Sequence, residues 1–503
     1  MSHASNTSKD SRHLVLVAYG TWGHTKPLCS LAARLVKTRP VYVTLFTTSP
    51  FYDRAEEEVG LSFNEREADT RARLRLVALE TNGEGLVGME SLHTAFEKAY
   101  QALVKEYPLT CAKTGKDIGA ISSPDVAIFD IFGSSMLTTV RRLSVKPVKV
   151  YGWIVTSTVS YHSYIGIASP NKNKDIRTRI HEEVNRSGRH IAEIAEEAGL
   201  VLVSLGSVLT KYLGFRLAER SCFEYPRFTD NCDGLIVATP RCFEPPESLK
   251  AMLEYHEGEV HVVGPMLPVA TNTHLVGERP SEKNQEFEGF ITRALETHGP
   301  RSLVYISFGS LWWSTEPEKI WAFVDTLVAR KVPFIFSHAS PFAQIPDDVR
   351  AKVENSGVGL FSSWSPQDYI LSHPVTGWFV THCGFNSIME SIAAGVPMIC
   401  WPYHADQPVN AIHLSENLGI AYELFEVRTG HGLKQINRTG KTPIGTLDAI
   451  RREANQILDQ AFGEDGKEKQ TKVKKLQEGF AQAWAEKGPS QLALERFLDN
   501  LTL

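Results

Sequence analysis

Short apolar runs, each followed by a glycine-bearing loop and a stretch of helical spacing, set the rhythm of this chain. The first run is Leu14-Val-Leu-Val-Ala18, and the loop Gly20-Thr-Trp-Gly23-His24 follows at once. A helix is predicted from about Pro27, a residue suited to a first turn, with apolar positions at Leu28, Leu31, Leu35 and Val36. The β-branched run Val41–Phe46 closes a strand–helix–strand unit, and Val126–Phe129 and Val148–Tyr151 are further strand candidates. Continuous apolar runs, in place of alternating ones, belong to strands covered on both faces. The pattern therefore predicts a parallel sheet with helices on either side.

After Val263-Gly-Pro265 comes a polar, aperiodic stretch, Thr271–Asn284, and then the grammar restarts. Strand Leu303–Ser307 leads into the loop Phe308-Gly309-Ser310, a helix through Ile320–Ala329 and strand Phe334–Ser337. Runs at Val358–Phe361, Trp378–Val380 and Met398–Trp401 complete the set. The expected class is α/β, with two Rossmann-like, doubly wound parallel-sheet domains facing each other across a cleft. Their expected limits are 1–264 and 285–480, joined by a linker over 265–284. A last helix, roughly Ala481–Leu501 within the tail 481–503, is expected to pack back on the first domain.

Composition supports this picture and narrows it. A chain of 503 residues is too long for one ordinary core. Its apolar fraction of 42% and charged fraction of 22% are those of a globular protein. The net charge of -5 argues against a nucleic-acid binder, and the basic run Lys467–Lys475, broken by Glu468, reads as a solvated helix face. Seven scattered cysteines fit neither a zinc site nor a disulfide framework, so reduced thiols in a cytoplasmic protein are expected. The polar start, Met1–Arg12, is no secretory signal, and no run reaches the roughly 18 apolar residues of a membrane span.

Candidate chemistry concentrates between Trp364 and Gln407. Strand Trp378–Val380 runs through Thr381-His382-Cys383 into a helix beginning near Gly384–Asn386. Backbone N–H groups at such a terminus, with the helix dipole, form a seat for a phosphate. His382, Asn386 and Ser387 add side-chain donors there, and Glu390, one turn beyond Ser387, presents a carboxylate that can accept from ribose hydroxyls. Trp364 offers a flat ring for a base, and Asp406 and Gln407 offer groups for sugar hydroxyls. Taken singly, each has a bland reading: a loop aromatic, a surface charge. Taken together at this spacing they do not.

This segment closely resembles the donor-binding signature of the UDP-glycosyltransferase family, inverting enzymes of the two-domain GT-B fold, in its plant and fungal form. The resemblance implies that Trp364 stacks on uracil and Gln367 lies on the uridine side. It places His382, Gly384, Asn386 and Ser387 at the diphosphate, Glu390 at the ribose, and Asp406 with Gln407 at a hexose. The loop Ser307–Ser310 resembles the family's second phosphate-side loop, with Ser310 as a donor-site residue. Phe385 stands where plant members usually carry tryptophan, which implies a modest effect on sugar fit. The implied donor is UDP-glucose first, a co-substrate and not a cofactor, with no obligatory metal.

Transfer to an alcohol needs a base, and histidine suits neutral pH. His24, in the context Gly23-His24-x-x-Pro27, resembles the family's catalytic histidine, and Asp130, after the strand Val126–Phe129, resembles its carboxylate partner. The expected function is transfer of a hexose to a hydroxyl of a small apolar acceptor: phenolic, terpenoid, sterol or lipid. The aromatic-rich segments Thr81–Tyr107 and Trp153–Tyr164 are expected to line its pocket. Three other readings are weaker. A dinucleotide oxidoreductase fails because the first loop is not Gly-x-Gly-x-x-Gly and the second strand runs into Thr47-Thr48-Ser49, without the ribose-binding acid. A non-catalytic nucleotide-sugar binder would not need His24 and Asp130, and an epimerase or hydrolase would need no acceptor pocket.

Overall fold

The computed structural model describes residues 12–82, 88–165, 182–183, 185–189, 228–256, 259–268 and 284–501. Most of the expected linker lies outside these residues, as do residues 83–87 of the first segment expected to line the acceptor pocket. The chain divides into two compact units. The first takes the described residues up to Ile165, those from 228 to 268, and the C-terminal stretch from Gln482; the second takes 182–183, 185–189 and the residues from 284 to Ala481.

The first unit is built on a seven-stranded sheet. Its strands are β1 (His13–Val17), β2 (Tyr42–Thr48), β3 (Leu74–Leu79), β4 (Val126–Asp130), β5 (Lys149–Ile154), β6 (Gly234–Val237) and β7 (Glu259–Val262). They pair in the order β3-β2-β1-β4-β5-β6-β7, every pair parallel. The apolar runs become strands because helices cover both faces; Leu14, Leu16, Ile128, Phe129 and Trp153 are fully buried. Helix α1 (Trp22–Thr38) follows β1.

Here the structure departs from the expected helix start. α1 begins at Trp22, upstream of Pro27, because the backbone N–H groups of His24 and Thr25 already donate to the Thr21 carbonyl. Pro27 then sits inside the helix, where its missing N–H would have met the carbonyl of Gly23. The consequence for the site is direct: His24 belongs to a first helical turn, not to a loop.

The second unit carries a six-stranded sheet: β8 (Leu303–Ser307), β9 (Phe334–Ser337), β10 (Gly359–Ser362), β11 (Thr376–Thr381), β12 (Met398–Cys400) and β13 (Ala421–Glu423). The order is β10-β9-β8-β11-β12-β13, again all parallel. Val304, Ile306, Phe336, Trp378, Val380 and Trp401 fill one side of its core. Three helices of this unit matter below: α2 (Gln367–Ser372), α3 (Phe385–Ala393) and α4 (Gln407–Ile412). Both sheets share one topology, in which the strand order reverses beside the first strand. In such sheets, ligands bind at the carboxyl ends of the strands flanking that reversal.

The C-terminal region is two helices where one was expected. α5 (Glu464–Ala483) stops, and α6 (Pro489–Asp499) starts anew after Gly488. Proline cannot continue a helix but opens one well, and Lys487 sits at φ 61° in the break. Trp484, between the two, donates from Nε1 to the Pro265 carbonyl at 2.8 Å and lies 3.7 Å beneath the Arg34 guanidinium. Phe497 of α6 packs edge-on against Tyr151. Among the described residues no helix is long and apolar enough to cross a membrane.

Candidate active site

In the first unit the order reverses between β1 and β4, and the helix after β1 and the end of β4 each contribute one polar side chain there. Val17 lies opposite Phe129 in the register, so the residues that follow them leave the sheet side by side. Asp130 is the last residue of β4 and is buried. His24 lies in the first turn of α1, with its side chain 27% exposed. The His24 Nδ1–H donates to Asp130 Oδ2, and the Phe132 backbone N–H donates to Asp130 Oδ1 at 3.3 Å. The rings of Tyr19 and Phe132 flank the imidazole at 5.5 and 5.6 Å between centroids. With Nδ1 facing the carboxylate, the neutral ring carries its lone pair on Nε2. The structure thus brings together two residues 106 positions apart.

In the second unit the reversal lies between β8 and β11, whose ends Ser307 and Thr381 are paired. The loop after β8 holds Gly309 and the exposed Ser310; the turn after β11 holds His382, Cys383 and Gly384. Gly384 caps α3 without a side-chain cap, and the first turn carries no acidic residue. The N–H groups of Phe385, Asn386 and Ser387 therefore form an electropositive terminus suited to an anion. His382 is buried between two glycines: a Cβ on Gly309 would stand 3.0 Å from its ring, and one on Gly384 2.4 Å from Nε2. Gly309 also has φ +74°, which disfavours any side chain. Burial lowers the His382 pKa to about 4, against a weaker raising effect of the Ser307 backbone, so the ring is neutral at neutral pH.

The remaining donor candidates lie on α2, α3 and α4. Trp364 precedes α2 with 53% of its surface exposed, unusual for so large an aromatic. Gln367, first in α2, donates from Nε2 to Glu390 Oε2 and accepts from the Tyr305 hydroxyl at 3.2 Å. Phe385, Ser387 and Glu390 are buried on α3, and Asn386 is half-buried. Asp406 precedes α4 and Gln407 opens it, after Ala405 at φ 58°. Among the described residues no three His, Cys, Asp or Glu side chains cluster as a metal site requires.

Comparison with known proteins places this arrangement. Residues 259–435 match the family model described as UDP-glucoronosyl and UDP-glucosyl transferase. Across 98% of its length the chain is 29% identical to the UDP-glycosyltransferase eriJ of Hericium erinaceus, covering 99% of that protein. A flavonol 3-O-glucosyltransferase of Arabidopsis thaliana is 26% identical, with 99% of both chains covered. Together these matches support a member of the UDP-glycosyltransferase family, a UDP-sugar-dependent glycosyltransferase. Solved structures share its fold. A transferase of Siraitia grosvenorii in complex with UDP superposes with a TM-score of 0.67 at 21% identity, covering 98% of this chain and 100% of that one. UGT71G1 of Medicago truncatula, complexed with UDP-glucose, gives 0.67 at 19% identity, covering 98% and 99%. The two parallel-sheet units are those of the GT-B fold.

Within this UDP-glycosyltransferase, some site features escape sequence reasoning. Gln407, expected to meet sugar hydroxyls, also holds its own loop: its Oε1 accepts the backbone N–H groups of Tyr403 and His404 at 2.9 and 3.0 Å. Tyr305, Ser365 and Asn410 were not singled out at all. The Tyr305 hydroxyl bonds Ser365 Oγ at 2.8 Å as well as Gln367; in the sequence Tyr305 is just one apolar position of a strand. Asn410 had a usable signal, since it lies one helical turn beyond Asp406.

Proposed function

We propose that the enzyme transfers glucose from UDP-glucose, with inversion at the anomeric carbon, to a hydroxyl of a small apolar acceptor. His24 is the general base. Its bond to Asp130 carries the reading: the carboxylate holds Nδ1–H, leaves Nε2 as the proton acceptor, and stabilises the imidazolium formed as the hydroxyl attacks. The flanking rings of Tyr19 and Phe132 limit how far the imidazole can turn.

The donor is held in the second unit. Trp364 stacks on uracil, Glu390 takes the ribose with Gln367 behind it, and the α3 terminus with His382, Asn386 and Ser387 takes the diphosphate. Ser310 approaches from the β8 loop, Phe385 borders the sugar, and Asp406 reads its hydroxyls. Charge developing on the departing UDP is stabilised by the α3 terminus and by His382 as a neutral donor, so a divalent ion is not required. A phenolic hydroxyl, such as that of a flavonol, is the first acceptor to test, since several relatives carry flavonol glucosyltransferase names. The enzyme works in the cytoplasm.

The test is a panel of UDP-sugars against flavonols, terpenoid alcohols and sterols, read by mass spectrometry. UDP-glucose with a phenol should give the fastest transfer, at a rate unchanged in EDTA. Donor cleavage without acceptor dependence, or activity lost in EDTA and restored by manganese, overturns the mechanism.

A further inference from the structure

We propose that Asn410 is a positioning residue of the donor site: one buried amide that fixes the diphosphate-side turn and the hexose-side carboxylate relative to each other. The inference rests on the reading of Asp406 as a hexose contact.

Asn410 is 1% exposed and lies on α4. Its Nδ2 donates to the Cys383 carbonyl at 3.1 Å and to Asp406 Oδ2 at 2.9 Å. A primary amide has two N–H hydrogens on one nitrogen, so each turn takes one. No other side chain of similar size does this: aspartate has no donor when ionised, serine has one, and leucine none. The backbone adds a third tie, from the Asn410 N–H to the Asp406 carbonyl at 2.8 Å.

Both turns hold an L-residue in the left-handed region, Cys383 at φ 65° and Ala405 at φ 58°. Such conformations persist where surrounding contacts over-determine them. The Cys383 carbonyl is the more consequential contact. The Cys383–Gly384 peptide is planar and trans, so its carbonyl and its N–H point in opposite directions. Drawing that carbonyl toward Asn410 turns the Gly384 N–H away from it, at the head of α3 where the diphosphate is held. The same amide fixes the rotamer of Asp406. One side chain thereby sets the spacing between the groups that read the phosphates and the group that reads the sugar.

The test measures UDP and UDP-glucose dissociation constants by calorimetry for wild type, Asp406→Ala, Asn410→Ala and the double variant. Asp406→Ala should weaken UDP-glucose about tenfold relative to UDP, the loss expected for one hydrogen bond to a charged group. Asn410→Ala should weaken UDP itself through the diphosphate-side turn and, beyond that, lower the same ratio by about threefold to tenfold, while the double variant should lower the ratio no further than Asp406→Ala alone. A purely structural role would leave the ratio of Asn410→Ala at the wild-type value or multiply with Asp406→Ala in the ratio, and either overturns the proposal. A ratio changed by Asp406→Ala but not by Asn410→Ala also overturns it. A ratio untouched by Asp406→Ala overturns the hexose reading itself, and this inference with it. If Asn410→Ala does not fold by circular dichroism, Asn410→Ser, which keeps one donor, is measured against the same ratios.

Discussion

Each unit delivers one histidine at a strand-to-helix turn beside its topological reversal, and the two are given opposite electrostatics. His24 is partly exposed and hydrogen-bonded to the carboxylate of Asp130. His382 is buried against Gly309 and Gly384, and burial holds its pKa at about 4. A carboxylate stabilises the protonated ring, which is what a general base needs after it has acted. A buried, neutral ring is a donor or acceptor whose charge does not change near neutral pH. The same residue type on the same kind of turn thus serves two ends, and only its neighbours differ.

The comparison breaks most visibly at His24. His24→Ala should lower kcat by about 10²–10⁴-fold while the UDP dissociation constant stays within about twofold of wild type. Asp130→Asn should show the same split with a smaller loss. Collapse of UDP binding in either variant would make the pair structural.

His382 should reveal itself in stability, not rate. Its pKa in the folded chain, about 4, lies below the ordinary 6.5, so the unfolded chain takes up the proton first as the pH falls. The contribution is complete above pH 6.5, declines through the interval and is gone near pH 4, in total about 3 kcal/mol. His13 and His256, lowered chiefly by burial to about 3 and about 4, act with the same sign. The informative measurement is therefore the difference in urea unfolding free energy between wild type and His382→Gln from pH 7 to pH 4.5. A difference that does not move with pH contradicts the assignment.

A smaller effect sharpens the packing side of the comparison. Gly384 has φ -68°, open to alanine, so Gly384→Ala tests only the 2.4 Å approach to His382. It should destabilise by about 1–3 kcal/mol and weaken UDP binding, whereas exposed Gly23→Ala in the other turn should spare stability. The smallest change comes from Tyr305→Phe. Burial raises that hydroxyl's pKa to about 12, leaving it a donor to Gln367. Its loss should weaken UDP by about fivefold with kcat unchanged; an unchanged UDP affinity would detach Tyr305 from the site.

Much of the fold was legible because burial on both faces of a parallel sheet leaves unbroken apolar runs. Leu303–Ser307 and Phe334–Ser337 are strands at the limits the pattern predicts. Element ends were less legible. The start of α1 at Trp22 depends on an acceptor at Thr21, and the break at Trp484–Gly488 depends on Pro489 and on a docking site at Pro265, far away in the chain.

By itself the sequence determined the two sheets, the family and the residue types present at each reversal, because all of these are written in local spacing. Tertiary structure decided what those residues can do. The bonds of Tyr305 to Gln367, of Gln367 to Glu390 and of Asn410 to Cys383 join positions 62, 23 and 27 apart. The direction of a hydrogen bond and the depth of burial depend on where distant segments meet. So the sequence named both histidines, and only the packing joined one to a carboxylate and kept the other buried and neutral.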